Sequence, residues 1–190
     1  LIRVGNAQYA KQNRSYGLTT LHKRHLEVDG TGLTFAFKGK SGVEHSVSVR
    51  DRRLATVVKA LRELPGQQLF KYRDDDGDLC LITSDDVNAY IRQAMGDQFS
   101  AKDFRTWAGT VSAARALRDT EAPTSPTDAK RKITVCVKAV AGLLGNTPTV
   151  CRSSYVHPTV FELFEAGTLA DALPGSETQG FEPALIKLLA

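Results

Sequence analysis

Apolar and polar residues alternate most regularly between residues 26 and 49. Three runs there, LEVDG, GLTFAFKG and VEHSVSV, have a period of two and are separated by short turns that contain glycine. This alternation is typical of strands with one buried face, and such short turns join antiparallel neighbours. The pattern predicts a three-stranded antiparallel sheet over about 26–49, with Lys40 in the turn between its second and third strands.

The rest of the chain is typical of helices. In RRLATVVKALREL the apolar residues recur at helical spacing, and a Pro-Gly pair follows as a stop. Ser84 is a suitable N-cap for a helix that Gly96 would end. An acidic turn joins two short extended segments near 70–72 and 79–82. We therefore predict an α+β fold, mainly α with one small sheet near the N-terminus, whose helices cover 2–12, 52–64, 85–95, 101–119, 126–145, a short helix carrying Arg152 to Tyr155, 158–165 and 181–190.

Composition indicates a soluble globular protein and offers no metal-binding pattern. Of 190 residues, 42% are hydrophobic and 24% are charged. No apolar run approaches the ~18 residues of a membrane span. The three cysteines form no CxxC pair, which favours plain thiols in a reducing cytoplasm. The acidic run at 74–78 does not fit the EF-hand register. Because the chain begins without methionine, we expect further residues upstream.

Basic residues are concentrated in two blocks, residues 1–53 and 102–152. The first block holds 10 Lys and Arg against 4 Asp and Glu, and the second holds 9 against 4. The segments between and after them are acidic, so the net charge of the whole chain is only +4. Two separate basic blocks can form one positive face, for which a nucleic acid is the natural partner. Scattered, solvated cations would give the same composition.

Five short motifs occur in order along nearly the whole chain. They are IRVGNAQYAKQNRSYGLTTL (2–21), FKGKSGVEH (37–45), KDFRTWAGT (102–110), LLGNTP (143–148) and CRSSYVHP (151–158). Together they resemble the catalytic domain of type IB DNA topoisomerases, in particular the small bacterial and poxvirus-like branch. KDFRTW and the Ser-Tyr-x-His-Pro ending are the specific parts. The resemblance implies a catalytic-domain fragment over 1–190 that lacks the N-terminal domain with which this family closes over the duplex.

The resemblance assigns roles to five residues by their positions in these motifs. Tyr155 would be the nucleophile and Lys40 the general acid. Arg3, Arg105 and Asn146 would stabilise the transition state. Asn146 stands where many relatives have histidine, and its amide can still donate a hydrogen bond to a phosphate oxygen.

These residue types suit the transfer of a DNA phosphodiester to tyrosine. Two permanently charged guanidinium groups can donate pairs of hydrogen bonds to the non-bridging oxygens of the transition state. A 5′-alkoxide leaves poorly near neutral pH, so a lysine on a hairpin turn would supply its proton. A phenol is largely protonated near neutral pH, and the sequence names no base for it. We interpret His157 as structural, and a bound water is an alternative base.

The resemblance also implies a monomer that acts on double-stranded DNA in the cytoplasm, in association with the nucleoid. It would relax supercoils without ATP, metal or another cofactor, and no membrane association is expected. The basic blocks would supply phosphate contacts, which position a duplex without reading its sequence. The predicted DNA-binding residues are Lys11, Arg14, Lys23, Arg24, Lys102, Lys130, Arg131 and Lys132. Trp107 is expected to pack in the core rather than to stack on a base.

Each of these residues also has an ordinary structural explanation, and three other functions are open. Arg105 could pair with Asp103, and Tyr155 could be a half-buried core aromatic. A tyrosine recombinase would use the same Arg, Lys and Tyr chemistry, but it commonly has histidine where this chain has Lys102. A helical DNA-binding module would show salt-sensitive binding and no covalent adduct. A protein-interaction domain with an incidental basic face would not bind duplex DNA.

Overall fold

The computed structural model describes all residues, 1–190, and divides into two compact units. The first unit comprises Leu1–Ala101 and the second comprises Lys102–Ala190. Each unit has its own cluster of buried hydrophobic side chains. A catalytic domain over 1–190 would therefore consist of two folded units.

The predicted three-stranded sheet is confirmed in the first unit. Its three strands pair antiparallel in the order of the sequence, and Phe35 of the central strand lies opposite Leu26 and Val47. Alternate residues of the central strand are buried, which is the reason for the period of two in the sequence. The strands are β1 (Leu26–Asp29), β2 (Gly32–Lys38) and β3 (Glu44–Arg50).

The core of the first unit forms where this sheet meets a helix. The helix α2 covers Arg52–Glu63, in agreement with the prediction, and begins at an Asp51 N-cap. It buries Ala55 and Val58, which lie three residues apart on one face. The buried side chains of this core are Leu21, Leu26, Leu33, Phe35, Phe37, Ala55, Val58 and Leu69.

The predicted helix over 2–12 is wrong in its first turn. The helix α1 covers only Ala7–Asn13, with Asn6 as its N-cap. The main chain of Arg3 and Val4 instead accepts hydrogen bonds from the amides of Leu18 and Thr19, both at 2.8 Å. Pairing between distant segments thus overrides the local helix preference of these residues.

The predicted N-cap Ser84 is also wrong. The helix α3 covers Ser84–Met95 and is capped by Thr83, whose amide donates to Asp86 Oδ2 at 2.8 Å. The Thr83 hydroxyl in turn accepts from the Asp86 amide at 3.3 Å, so the two residues form a capping box. Gly96 ends the helix as predicted.

The acidic run forms the tight turn predicted between two short strands. β4 (Lys71–Arg73) pairs antiparallel with β5 (Leu79–Leu81). Asp74 Oδ1 accepts from the amide of Asp78 at 2.8 Å and from that of Asp76 at 3.2 Å. The carboxylate therefore satisfies main-chain amides in the turn, as aspartate commonly does.

Two lysines satisfy the main-chain carbonyls that follow α2. Lys23 Nζ donates to Leu64 O at 2.6 Å. Lys71, which is 1% exposed, donates to Gly66 O at 2.9 Å and also to Pro65 O. A buried ammonium group needs such partners, so Lys71 has a structural role that its exposed neighbours in sequence do not suggest.

Every regular element of the second unit is a helix. Three of its helices have proline in the first turn, where the missing N–H costs no hydrogen bond. The predicted helices are confirmed, except that the short helix Pro148–Ser154 ends one residue before Tyr155 and that the helix Leu169–Ala172 was not predicted. No single helix is long and apolar enough to cross a membrane. Only the helix pair Pro126–Leu144 and Pro148–Ser154, bent by 94°, reaches that length and composition. The helices are α4 (Ala101–Arg118), α5 (Pro126–Leu144), α6 (Pro148–Ser154), α7 (Pro158–Glu165), α8 (Leu169–Ala172) and α9 (Phe181–Leu189).

Polar contacts attach the last helix, α9, to α4. Trp107 Nε1 donates to Glu182 Oε2 at 3.1 Å, and Arg115 Nη2 lies 3.4 Å from Glu182 Oε1. The Arg115 guanidinium also lies 5.2 Å from the centroid of the fully buried Phe181 ring. Trp107 packs against the core of the second unit, which confirms its predicted structural role.

The cysteines are free thiols, as predicted. Cys136 and Cys151 are buried in the core of the second unit, and Cys80 is partly exposed. Burial raises the pKa of the Cys136 thiol to about 11, so this group stays protonated and unreactive near neutral pH.

We predict that Asp128→Asn lowers the thermal stability of the chain in a pH-dependent way. Hydrogen bonds from Lys132, Arg131 and the Thr124 amide hold the pKa of the Asp128 carboxyl well below its usual range. Such a group stabilises the fold above its unfolded pKa of about 3.9 and loses that effect as pH falls through the folded value. The variant should therefore melt below the wild type near neutral pH, and the difference should shrink on acidification towards about pH 2.

Thermal melts followed by circular dichroism at several pH values measure this difference. The same substitution at Asp75, an exposed residue of the acidic turn, is the control. A melting temperature of Asp128→Asn equal to that of the wild type near neutral pH would contradict the prediction.

Candidate active site

One face of α4 carries three buried residues that organise the second unit. Arg105 and Gly109 lie four residues apart and Thr110 follows, so all three point to the same side of the helix. Arg105 is 6% exposed and Thr110 is 3% exposed. The segments that pack on this face of the helix therefore meet the guanidinium group of Arg105, the space left by Gly109, which has no side chain, and the hydroxyl group of Thr110.

Arg105 binds the C-terminal end of α5. Its Nη2 donates to Leu144 O at 2.6 Å, across 39 residues of sequence. Carbonyls in the last turn of a helix lack partners within the helix and lie at the negative end of its dipole, where a guanidinium group is favourable. The Arg105 contact to α5 is a buried hydrogen bond that helps to place this side chain.

The turn that follows α5 carries Asn146. Gly145 adopts a left-handed conformation (φ 60°), and the amide of Asn146 donates to Ala141 O at 2.9 Å. This arrangement is a common helix ending, and it requires glycine or a similar residue at the left-handed position. Arg105 of α4 binds the carbonyl of Leu144, two residues before Asn146. The position of the partly buried Asn146 therefore depends on α4 as well as on α5.

Tyr155 lies directly after α6, next to Arg105. Its amide donates to Cys151 O at 3.0 Å, and its ring packs, half-buried, against the core of the second unit. The Arg105 guanidinium carbon lies 5.6 Å from the centroid of this ring, within the range of a cation–π contact. The second unit therefore places the predicted residue Arg105 beside Tyr155, and Asn146 follows two residues after Leu144, whose carbonyl Arg105 binds.

Arg3 lies on an extended segment of the first unit, not on a helix. Its carbonyl accepts the amide of Leu18 at 2.8 Å. Gly17 permits this pairing, because a Cβ at that position would lie 2.8 Å from Arg3 O and 2.5 Å from Gly5 Cα. Gly5 itself has φ +99°, a conformation that other residues rarely adopt. These main-chain contacts therefore fix the position of the Arg3 Cα, from which the partly buried side chain extends.

Lys40 lies on the turn after β2, as predicted. The turn contains left-handed Ser41 (φ 63°) and Gly42 (φ 76°), and Lys40 itself is exposed. The Lys40 Nζ lies 5.9 Å from the centroid of the Tyr9 ring in α1. Tyr9 was not among the predicted site residues, although it lies six residues after Arg3 in the same motif.

The eight predicted DNA-binding residues differ in how free their charged groups are. Lys23 donates to Leu64 O, and Arg24 Nη2 donates to the Tyr16 hydroxyl at 3.0 Å. Lys132 is bound most completely: its Nζ contacts Glu121 O at 3.0 Å, Ala122 O at 3.3 Å and Asp128 Oδ2 at 2.9 Å. The exposed residues of the set are Lys11, Arg14, Arg24, Lys102, Lys130 and Arg131, the last with an ion pair to Asp128 at 2.7 Å.

His157 has a structural role, as interpreted from the sequence. Its Nδ1 accepts the amide of Thr159 at 3.4 Å and caps α7. No group of three or more His, Cys, Asp and Glu side chains is arranged to hold a metal ion.

Gly109 and Thr110 touch the predicted nucleophile but were not among the predicted residues. The Thr110 hydroxyl contacts the main chain of Tyr155 and His157, and the Tyr155 carbonyl occupies the space that a side chain at Gly109 would need. Both residues belong to the quoted motif KDFRTWAGT. Small residues four and five positions after Arg105 on one helix were the available signal.

Comparisons with known proteins show which family this chain resembles. The family model described as the eukaryotic DNA topoisomerase I catalytic core matches residues 1–169. The chain is 34% identical over 171 residues to DNA topoisomerase 1B of Acanthamoeba polyphaga mimivirus, covering 86% of this chain and 51% of that protein. It is 24% identical over 174 residues to DNA topoisomerase 1B of Vaccinia virus (strain Copenhagen), covering 90% and 52%.

The chain thus spans about half the length of these curated relatives. They are viral, so they support the poxvirus-like part of the predicted branch and give no support to a bacterial source.

We predict that Arg105→Ala destabilises the second unit. The variant leaves Leu144 O without its buried donor and removes the contact to the Tyr155 ring. Losing one partner of a buried hydrogen bond costs about 1–3 kcal/mol. Urea unfolding followed by circular dichroism measures this free energy, with Arg62→Ala on the exposed face of α2 as the control. Equal stability of the Arg105 variant and the wild type would show that this contact is not structural.

Proposed function

Because this chain belongs to the family of the eukaryotic DNA topoisomerase I catalytic core, we propose that it cleaves and rejoins one strand of duplex DNA through Tyr155. The observation that carries the proposal is the placement of a buried guanidinium, Arg105, 5.6 Å from the ring centroid of Tyr155. A phenol that attacks a phosphate needs a fixed cation beside it, because the phosphate brings negative charge to that position.

In the proposed reaction the Tyr155 oxygen attacks a DNA phosphorus atom. The O–P bond to tyrosine forms as the bond to the 5′-oxygen breaks, and the phenolic proton passes to a base or a water molecule. A 3′-phosphotyrosyl bond and a free 5′-hydroxyl result. One phosphodiester replaces another, so the reverse attack by the 5′-hydroxyl reseals the strand without ATP.

Arg3, Arg105 and Asn146 would stabilise the charge that develops on the non-bridging oxygens. Guanidinium groups are always protonated and donate hydrogen bonds in pairs, which suits a phosphorane-like transition state. The partly buried Asn146 would add a neutral donor through its amide. Because these groups carry the charge, the proposed reaction needs no metal ion.

Lys40 would protonate the leaving 5′-oxygen as general acid. The exposed turn after β2 places its ammonium group at the end of a hairpin, from which it can reach a bound duplex. The nearby Tyr9 ring would orient it. Left-handed Ser41 and Gly42 shape the turn that would present the lysine.

Relaxation of supercoiled, double-stranded DNA is the proposed outcome of cleavage and religation. The duplex would rotate about the uncut strand while Tyr155 holds the 3′ end. We propose that the protein acts as a monomer in the compartment where its DNA lies, the cytoplasm. The exposed cations of α1 and α5 would hold the phosphates around the cut.

We predict that this chain forms a covalent adduct with DNA that depends on Tyr155. The substrate is a suicide duplex whose 5′-hydroxyl strand dissociates after cleavage, in EDTA and without ATP. Denaturing electrophoresis should show an adduct on the 3′ side of the break with wild type and none with Tyr155→Phe. Tyr90→Phe is the matched control, because Tyr90 is 72% exposed and lies in the first unit.

An adduct that persists in Tyr155→Phe would refute the assignment of the nucleophile. DNA binding without any adduct would refute cleavage by this chain and favour a DNA-binding module. Transfer of strands between two sites, without plasmid relaxation, would instead favour a recombinase.

We also predict that two lysines of α5 differ in their contribution to DNA affinity. Lys130 is exposed, whereas the Lys132 ammonium already has three oxygen partners in the chain. Each phosphate contact that is lost reduces the slope of log K against log salt by about 1. Lys130→Gln should therefore flatten this slope, and Lys132→Gln should leave it nearly unchanged. A flatter slope for Lys132→Gln alone would contradict the prediction.

A further inference from the structure

A single hydroxyl group holds the main chain on the C-terminal side of Tyr155. Thr110 Oγ1 accepts the amide of His157 at 3.1 Å and donates to the carbonyl of Tyr155 at 3.5 Å. Thr110 is 3% exposed, so water does not compete for these bonds. The hydroxyl therefore ties down both peptide groups that flank Val156.

Gly109 brings this main chain close enough to α4 for the contact to form. A Cβ at Gly109 would collide with the Tyr155 carbonyl oxygen and would lie 3.1 Å from Leu144 Cδ1. The Tyr155 carbonyl thus rests directly on the backbone of α4. The same approach places Thr110, the next residue, within hydrogen-bond reach.

The other side of Tyr155 is held by α6. The Tyr155 amide donates to Cys151 O at 3.0 Å in the last helical turn, and the chain then leaves the helix at φ −133°, ψ −1°. Without a second attachment, rotation about the N–Cα bond of Tyr155 would swing the side chain and the carbonyl together, so a bond that holds the carbonyl also limits the direction of the side chain.

We infer that Thr110 is a positioning residue for Tyr155 and that Gly109 provides the space it needs. This inference rests on the proposed function of Tyr155 as nucleophile. Threonine suits the position, because its hydroxyl can accept from one peptide and donate to the next. The phenolic oxygen is thereby aimed before DNA binds, and a displacement of about 1 Å at a reacting atom can cost about 100-fold in rate.

The test compares cleavage by Thr110→Val, Thr110→Ser and the wild type in single turnover. The valine variant keeps the shape and loses both bonds, whereas serine restores the hydroxyl. We expect the valine variant to form adduct about 10- to 100-fold more slowly with DNA affinity within about 2-fold of wild type, and serine to recover most of the rate. Thr134→Val is the matched control, since the exposed Thr134 hydroxyl bonds only Lys130 O in its own helix.

A second measurement does not depend on activity. Hydrogen exchange at the His157 amide, followed by NMR, should be faster in Thr110→Val than in the wild type, Thr110→Ser or Thr134→Val. If the valine variant does not fold, Thr110→Ala serves in its place, because it places no branched methyl against the peptide groups.

A wild-type cleavage rate in the folded valine or alanine variant, or unchanged exchange at His157, would overturn the inference. Absence of an adduct with wild type would refute the proposed function instead, and the exchange measurement would still decide whether Thr110 holds the main chain beside Tyr155.

Discussion

The buried guanidinium of Arg105 contacts both the end of α5 and the ring of Tyr155, and the arrangement of the second unit depends on it. Its hydrogen bond to Leu144 O fixes the end of α5, and its face lies against the ring of Tyr155. A charge at 6% exposure needs such partners to be tolerated. The same burial keeps water away and preserves the strength of its field, which a phosphate at this position would experience.

In the first unit the backbone, rather than a buried charge, positions the predicted residues. Arg3 lies on an extended segment that pairs with residues 18 and 19, and two glycines allow the close approach. Lys40 lies on a turn in left-handed conformations. Hydrogen bonds and steric limits thus fix the main chain at both Arg3 and Lys40. Less conformational entropy is then lost when their side chains bind a ligand.

Sequence patterns predicted most elements because local burial repeats with the period of the element. The alternation in GLTFAFK matches the buried face of β2, and the apolar spacing of α2 matches its contact with the sheet. One failure occurred where distant segments compete with local preference. Arg3 and Val4 pair with another segment instead of forming a helical turn. The N-cap of α3 was missed for a different, local reason, because the reciprocal bonds between Thr83 and Asp86 select Thr83 over Ser84.

The sequence by itself determined which chemical groups are available, in which order, and on which helices and turns most of them lie. Tertiary structure decided which groups meet. Arg105 and Leu144 are 39 residues apart, and the contacts of Thr110 with Tyr155 and His157 span 45 and 47 residues. Tertiary structure also decided that the Lys132 ammonium group binds oxygen atoms of the chain, whereas Lys130 is exposed to solvent. Periodicity reports only whether a residue faces a core, whereas a contact between remote residues depends on how whole helices pack.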